Sequence, residues 1–223
     1  LFEFDMQRSP VAFLPGAWIG HAAEMRYYNG LVWYQRTFDA PALPPGKRAF
    51  LRFGAVDYSA DVHLNGKPVG RHVGGFTPFS FEVTKLLRAG SNQITVGVDS
   101  SRTEADVPPP VTDWENYGGI TRSVTLVLVP ETYVDDAWVR LDAEGRITAS
   151  LQLDGPQAND APVRLRVPAL GLALEGRTGA DGRWTAGIAA PRRLERWSPE
   201  SPTLYDVRFE AGGYRLQAWH VPC

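Results

Sequence analysis

One stretch of the chain combines residue types and spacing suited to a polar ligand: residues 111–122, VTDWENYGGITR. Its centre places Asp113, Trp114, Glu115, Asn116 and Tyr117 in a row. Carboxylate and amide oxygens accept hydrogen bonds, and flat rings cover C–H patches, so the set suits the hydroxyl-bearing face of a sugar. Residues 108–110 are three prolines, which hold the arriving chain extended. Gly118 and Gly119 then let it bend back toward a strand beginning near Arg122. Such a loop is expected to project from the rim of a sheet. The same chemistry leaves a structural reading open, in which Trp114 and Tyr117 plug a domain interface and Arg122 pairs with an acid.

Acid–base catalysis within this stretch is poorly supported. Asp113 and Glu115 would share a face at about 7 Å in an extended segment, wider than the about 5–5.5 Å of a retaining carboxylate pair. A rim loop also lacks the enclosed pocket that raises one carboxyl pKa. Asp135 and Asp136 are neighbours that point to opposite faces if extended, and Glu195 and Glu200 flank a WSP turn where solvation is the simplest state. The histidines at 21, 63, 72 and 220 show no metal-ligand spacing with one another or with Cys223. No serine occupies a nucleophile-elbow pattern, and no glycine loop opens a helix. No catalytic residue, metal ligand or cofactor is therefore assigned from the residues.

The elements that must carry this loop are strands. Nearly every periodic segment alternates with period two, as in Ala60, Val62 and Leu64 against Asp61 and His63. Asn65 and Gly66 supply the positive-φ pair of a tight hairpin turn, and Gly74 and Gly75 free the backbone before Phe76, Phe79 and Phe81. Residues 51–56 and 93–98 read as strands. Residues 124–129 form a nearly continuous apolar run, the pattern of a strand covered on both faces. Pro130 then interrupts, and lighter alternating strands follow through residues 147–153, 163–167 and 205–209, with turn glycines between them. About seven strands in this second stretch match the size of an immunoglobulin-like sandwich. The expectation is an all-β chain with a sandwich at 1–131 and an immunoglobulin-like sandwich at 132–223.

Composition narrows the partners. The 223 residues carry a net charge of −2 with signs interspersed, which argues against a nucleic-acid or anionic-membrane partner. No apolar run reaches the roughly 20 residues needed to span a bilayer. A single cysteine excludes an intrachain disulfide and leaves the compartment open.

The ordered strings VWYQRTF (32–38), AFLRFGAVDYSADVHLNG (49–66), GGFTPFSFEVT (74–84), NQITVGVD (92–99), DWENYGGITRSVTL (113–126) and VDDAWV (134–139) resemble the N-terminal region of glycoside hydrolase family two, which includes β-glucuronidases and β-galactosidases. RWSPESPTLYDV (196–207) resembles the close of that family's second, immunoglobulin-like domain. The resemblance implies a galactose-binding-like jelly roll followed by that second sandwich. It also implies that both catalytic glutamates of the retaining reaction lie on a third domain, a (β/α)₈ barrel. The last stretch, AGGYRLQAWHVPC, ends before such a barrel begins and lacks the family's usual passage into it, so this chain is expected to be inactive alone.

One residue role carries over by motif position. The acid opening the D-x-x-N-Y-x-G-I string reaches toward the barrel's active site in β-glucuronidases and accepts hydrogen bonds from sugar hydroxyls; Asp113 stands there. Trp114, Asn116 and Tyr117 are weaker candidates for substrate contact. The implied partners are a glycoside and the barrel, with homo-oligomerisation open. Two alternatives stand beside this reading: a free-standing carbohydrate-binding module, and a protein-interaction scaffold.

Overall fold

The computed structural model of the chain describes residues 6–115, 117–211 and 214–222. Among them there is no α-helix; apart from short 3₁₀ turns, the regular elements are strands. The chain divides into two compact units, residues 1–129 and 130–223.

The first unit holds β1 (Leu31–Ala40), β2 (Lys47–Phe53), β3 (Ser59–Leu64), β4 (Lys67–Val73), β5 (Phe79–Glu82), β6 (Gly90–Asp99) and β7 (Val124–Pro130). They form a four-stranded sheet in the order β1-β6-β3-β4 and a three-stranded sheet in the order β5-β2-β7. β6 pairs antiparallel with both β1 and β3, placing Val98 opposite Val32 on one side and Ala60 on the other. The hairpin expected at Asn65 and Gly66 forms, with φ of 53° and 76°. The Asn65 side chain fixes that turn by donating to the Leu86 carbonyl and to Asn92 Oδ1, each at 2.9 Å. Alternation on β3 buries Ala60, Val62 and Leu64, which pack with Leu51 and Phe53 of the other sheet and with Trp18, Val96, Val98 and Ile120. Each such side chain contributes about 1.5–3 kcal/mol on full burial. β7 departs from expectation: it is an edge strand, and Val124 and Leu128 reach solvent. A continuous apolar run does not specify which of its faces acquires a partner.

The second unit holds β8 (Tyr133–Leu141), β9 (Arg146–Asp154), β10 (Pro162–Val167), β11 (Leu172–Arg177), β12 (Arg183–Ala189), β13 (Leu204–Ala211) and β14 (Tyr214–Pro222). The sheets run β11-β10-β13-β14 and β12-β9-β8. Its core joins Ile147, Leu151 and Leu153 of β9 to Val163 and Leu165 of β10, Trp184 of β12, and Val207 and Phe209 of β13. The Tyr205 hydroxyl accepts the Glu195 N–H at 2.8 Å, which ties the WSP-bearing loop to β13.

Candidate functional site

The segment at 111–122 is a rim loop, entered after β6 and left into β7. Its return limb is the part held most firmly. Trp18 N–H donates to the Gly118 carbonyl at 3.0 Å, and Gly16 N–H donates to the Ile120 carbonyl at 2.9 Å. Between them, Gly119 exchanges two backbone hydrogen bonds with Asp57, each at 2.9 Å. Only glycine fits here. Gly119 has φ of 137°, and a Cβ on Gly118 would lie 2.1 Å from the Trp18 ring. Trp18 itself is 1% exposed and packs edge-to-face on Tyr28 at 5.8 Å.

Above this floor the loop's side chains face outward. Asp113 is exposed and has no hydrogen-bond or ion-pair partner among the described residues. Trp114 and Tyr117 are 51% and 44% exposed, so neither is a core plug. The Thr112 hydroxyl donates to the Trp114 carbonyl at 3.0 Å, shaping the tip. Asn116 lies outside the described residues. Glu115 is committed elsewhere: Arg26 donates to its Oε1 from Nε at 3.1 Å and from Nη2 at 3.0 Å. That leaves Asp113 as an acceptor without a second uncommitted acid among the tip's described residues, whereas a retaining pair needs two carboxyl groups about 5–5.5 Å apart.

Beneath the loop lies a second acid with the opposite character. Asp57 is 2% exposed, and Arg102 Nη2 donates to both its oxygens, at 2.7 and 2.8 Å. Next to it, Tyr58 donates to Asp106 Oδ1 at 3.1 Å, and burial pushes the Tyr58 hydroxyl pKa up. The backbone N–H of Thr103, reinforced by its hydroxyl, holds the Asp106 carboxyl below the usual range. The Tyr34 hydroxyl is also buried there, 3.3 Å from where a Gly119 Cβ would stand and without a hydrogen-bond partner among the described residues. Burial raises its pKa to about 12.

Trp18, Arg26, Tyr34, Asp57 and Arg102 were not singled out by the sequence reading. One signal was available for Asp57: it is the only charged residue of the stretch 53–60, FGAVDYSA, and an acid buried there needs a cation, because an unpaired buried charge is prohibitively costly. Arg26, Trp18 and Arg102 meet the loop only through the fold and carry no local signal. On the second unit an open groove of about 550 Å³ is lined by Asp135, Asp154, Asn159 and Asp181 among others. No group of His, Cys, Asp and Glu among the described residues is arranged to hold a metal.

Comparison with known proteins bears on the first unit directly. The family model "Glycosyl hydrolases family 2, sugar binding domain" matches residues 15–130, a span covering the sandwich, its rim loop and the Asp57 floor. The chain belongs to glycosyl hydrolase family 2. Among family members, a β-galactosidase of Thermoanaerobacter pseudethanolicus is 34% identical over an alignment of 221 positions that covers 92% of this chain and 30% of that protein. A β-glucuronidase of Canis lupus familiaris is 28% identical, over 81% of this chain and 31% of its own length. The chain thus spans about a third of the length of these relatives. Among solved structures, a Faecalibacterium prausnitzii β-glucuronidase superposes with a TM-score of 0.72 at 26% identity, covering 98% of this chain and 43% of the other. The Bifidobacterium dentium β-glucuronidase complexed with coumarin-3-O-glucuronide shares the fold, with a TM-score of 0.76 at 23% identity, over 96% of this chain and 44% of that one. The all-β architecture of paired antiparallel sandwiches is therefore that of the family's N-terminal region. No described helix is long and apolar enough to cross a membrane.

Proposed function

We propose that this chain forms the non-catalytic N-terminal domains of a retaining exo-glycoside hydrolase of β-glucuronidase or β-galactosidase type. Residues 1–131 act as the sugar-binding-like jelly roll and 132–223 as an immunoglobulin-like spacer. Both support a catalytic barrel that supplies the two reacting carboxyl groups. Asp113 accepts hydrogen bonds from hydroxyls of the non-reducing sugar, and Trp114, Asn116 and Tyr117 shape the loop around it. The observation that carries this reading is the state of Asp113: exposed and without a partner among the described residues, on a loop whose base is fixed by four backbone hydrogen bonds and the close packing of Gly118 on Trp18. A surface acid kept free on so firmly founded a loop is placed for a ligand rather than for stability.

Exposed Trp114 and Tyr117 favour a second reading, a carbohydrate-binding module complete in itself. Titration calorimetry of this chain with glucuronides, galactosides and xylo-oligosaccharides separates the two. A half-site gives no heat at millimolar sugar, and the chain leaves p-nitrophenyl glucuronide and galactoside intact. Millimolar or tighter binding identifies the module. Turnover abolished by Asp113→Ala overturns both readings.

A further inference from the structure

The described residues between Arg102 and Gly119 form no helix or strand, yet both ends of the segment close on Asp57, and the entrance on Tyr58 as well. Arg102 at the entrance donates to the Asp57 carboxylate, and its guanidinium lies over the Tyr58 ring at 5.2 Å. Four residues on, Asp106 accepts the Tyr58 hydroxyl. At the exit, the Asp57 backbone holds Gly119 through a reciprocal pair of hydrogen bonds. The Asp57 and Arg102 side chains are 2% and 6% exposed, so water competes little for this pair. Gly75 leaves just enough room for it, since a Cβ there would lie 2.6 Å from Asp57 Oδ1.

We propose that Asp57, with Arg102 and Tyr58, is the positioning device of the sugar-binding loop: a clasp that closes residues 102–119 at both ends and thereby sets where Asp113 stands. Asp57 touches no sugar. It acts through Gly119, six residues beyond Asp113, and through Arg102, eleven residues before it. Closing a loop at two points on one rigid strand connection removes most of the conformations its tip would otherwise sample. The benefit to Asp113 rests on the reading of that residue given above; the clasp itself does not.

The test uses the full chain and two variants, Asp57→Asn and Tyr58→Phe. The second removes one hydroxyl and keeps the buried ring, so it reports on the clasp even if the first folds poorly. Hydrogen–deuterium exchange is expected to quicken at least tenfold in peptides covering residues 103–117 of Asp57→Asn. In Tyr58→Phe the acceleration is smaller and confined to 103–110. Peptides of β3 and β6 keep their wild-type rates in both. The indole N–H resonance of Trp114, assigned with Trp114→Phe, moves toward its random-coil position while those of Trp33 and Trp184 stay. Unchanged exchange across 103–117, or acceleration spread evenly over the first unit, overturns the proposal. Failure of the Asp113 reading shows elsewhere, as sugar binding or hybrid-enzyme activity that Asp113→Ala leaves unchanged, and leaves these exchange rates untouched.

Discussion

Two aspartates of the first unit serve one loop in opposite ways. Asp57 lies under it, buried, with both oxygens held by Arg102 and its backbone paired to Gly119. Asp113 lies at its tip, exposed and without a partner among the described residues. The first acid is bound up in holding the backbone, while the second keeps both oxygens open to solvent. Chemical type alone does not separate these roles; burial and partnership do.

The largest way to test this contrast is to break the buried pair. Asp57→Ala leaves Arg102 desolvated without its carboxylate and is expected to cost about 3–5 kcal/mol, read as a lowered urea midpoint of the first unit. A cost below about 1 kcal/mol would mean that the pair is as dispensable as a surface ion pair. Next in size is Gly118→Ala. Its Cβ would meet the Trp18 ring at 2.1 Å, and the shift needed to relieve that contact is expected to cost about 1–3 kcal/mol in the same unfolding experiment.

A smaller effect appears only in alkali. Burial favours the neutral Tyr34 phenol, so its folded pKa of about 12 exceeds the roughly 10 of an unfolded tyrosine. Its contribution is fully present below pH 10 and is lost as pH rises from 10 toward 12. Tyr34→Phe is expected to flatten that alkaline decline and to leave stability at pH 7 unchanged or slightly higher, because it also removes a hydroxyl that lacks a described partner. A steeper decline in the variant would contradict the burial assignment. Smallest of all is Asp113→Ala, expected to change the unfolding free energy by less than about 0.5 kcal/mol, since no described contact is lost.

The same two aspartates show what was legible in the residues. Local signals were sufficient for strands and turns: alternation of Ala60, Val62 and Leu64, and the Asn65 and Gly66 pair, dictate a hairpin whatever surrounds it. They were also sufficient for the outward loop, where prolines before it and glycines after it bracket a run of polar and aromatic residues. Ordered resemblance to a family then singled out Asp113 from its neighbours. The floor was not legible. Asp57 meets Arg102 and Gly119 across 45 and 62 positions, and Glu115 meets Arg26 across 89, separations at which no periodicity constrains a partner. β7 illustrates the other limit. Its apolar run is read correctly as a strand, but which sides are covered depends on neighbours that the run does not encode.

The central claim, that Asp113 is a sugar acceptor held ready on a braced loop, is tested most directly in a catalytically complete setting. This chain can replace the segment it matches in the Thermoanaerobacter pseudethanolicus β-galactosidase, and kcat/KM of the active hybrid can be measured with and without Asp113→Ala. The expected result is a loss of about a hundredfold, roughly 2.7 kcal/mol of transition-state stabilisation, with the unfolding midpoint of the first unit unchanged. Full activity without the Asp113 carboxylate would contradict the claim.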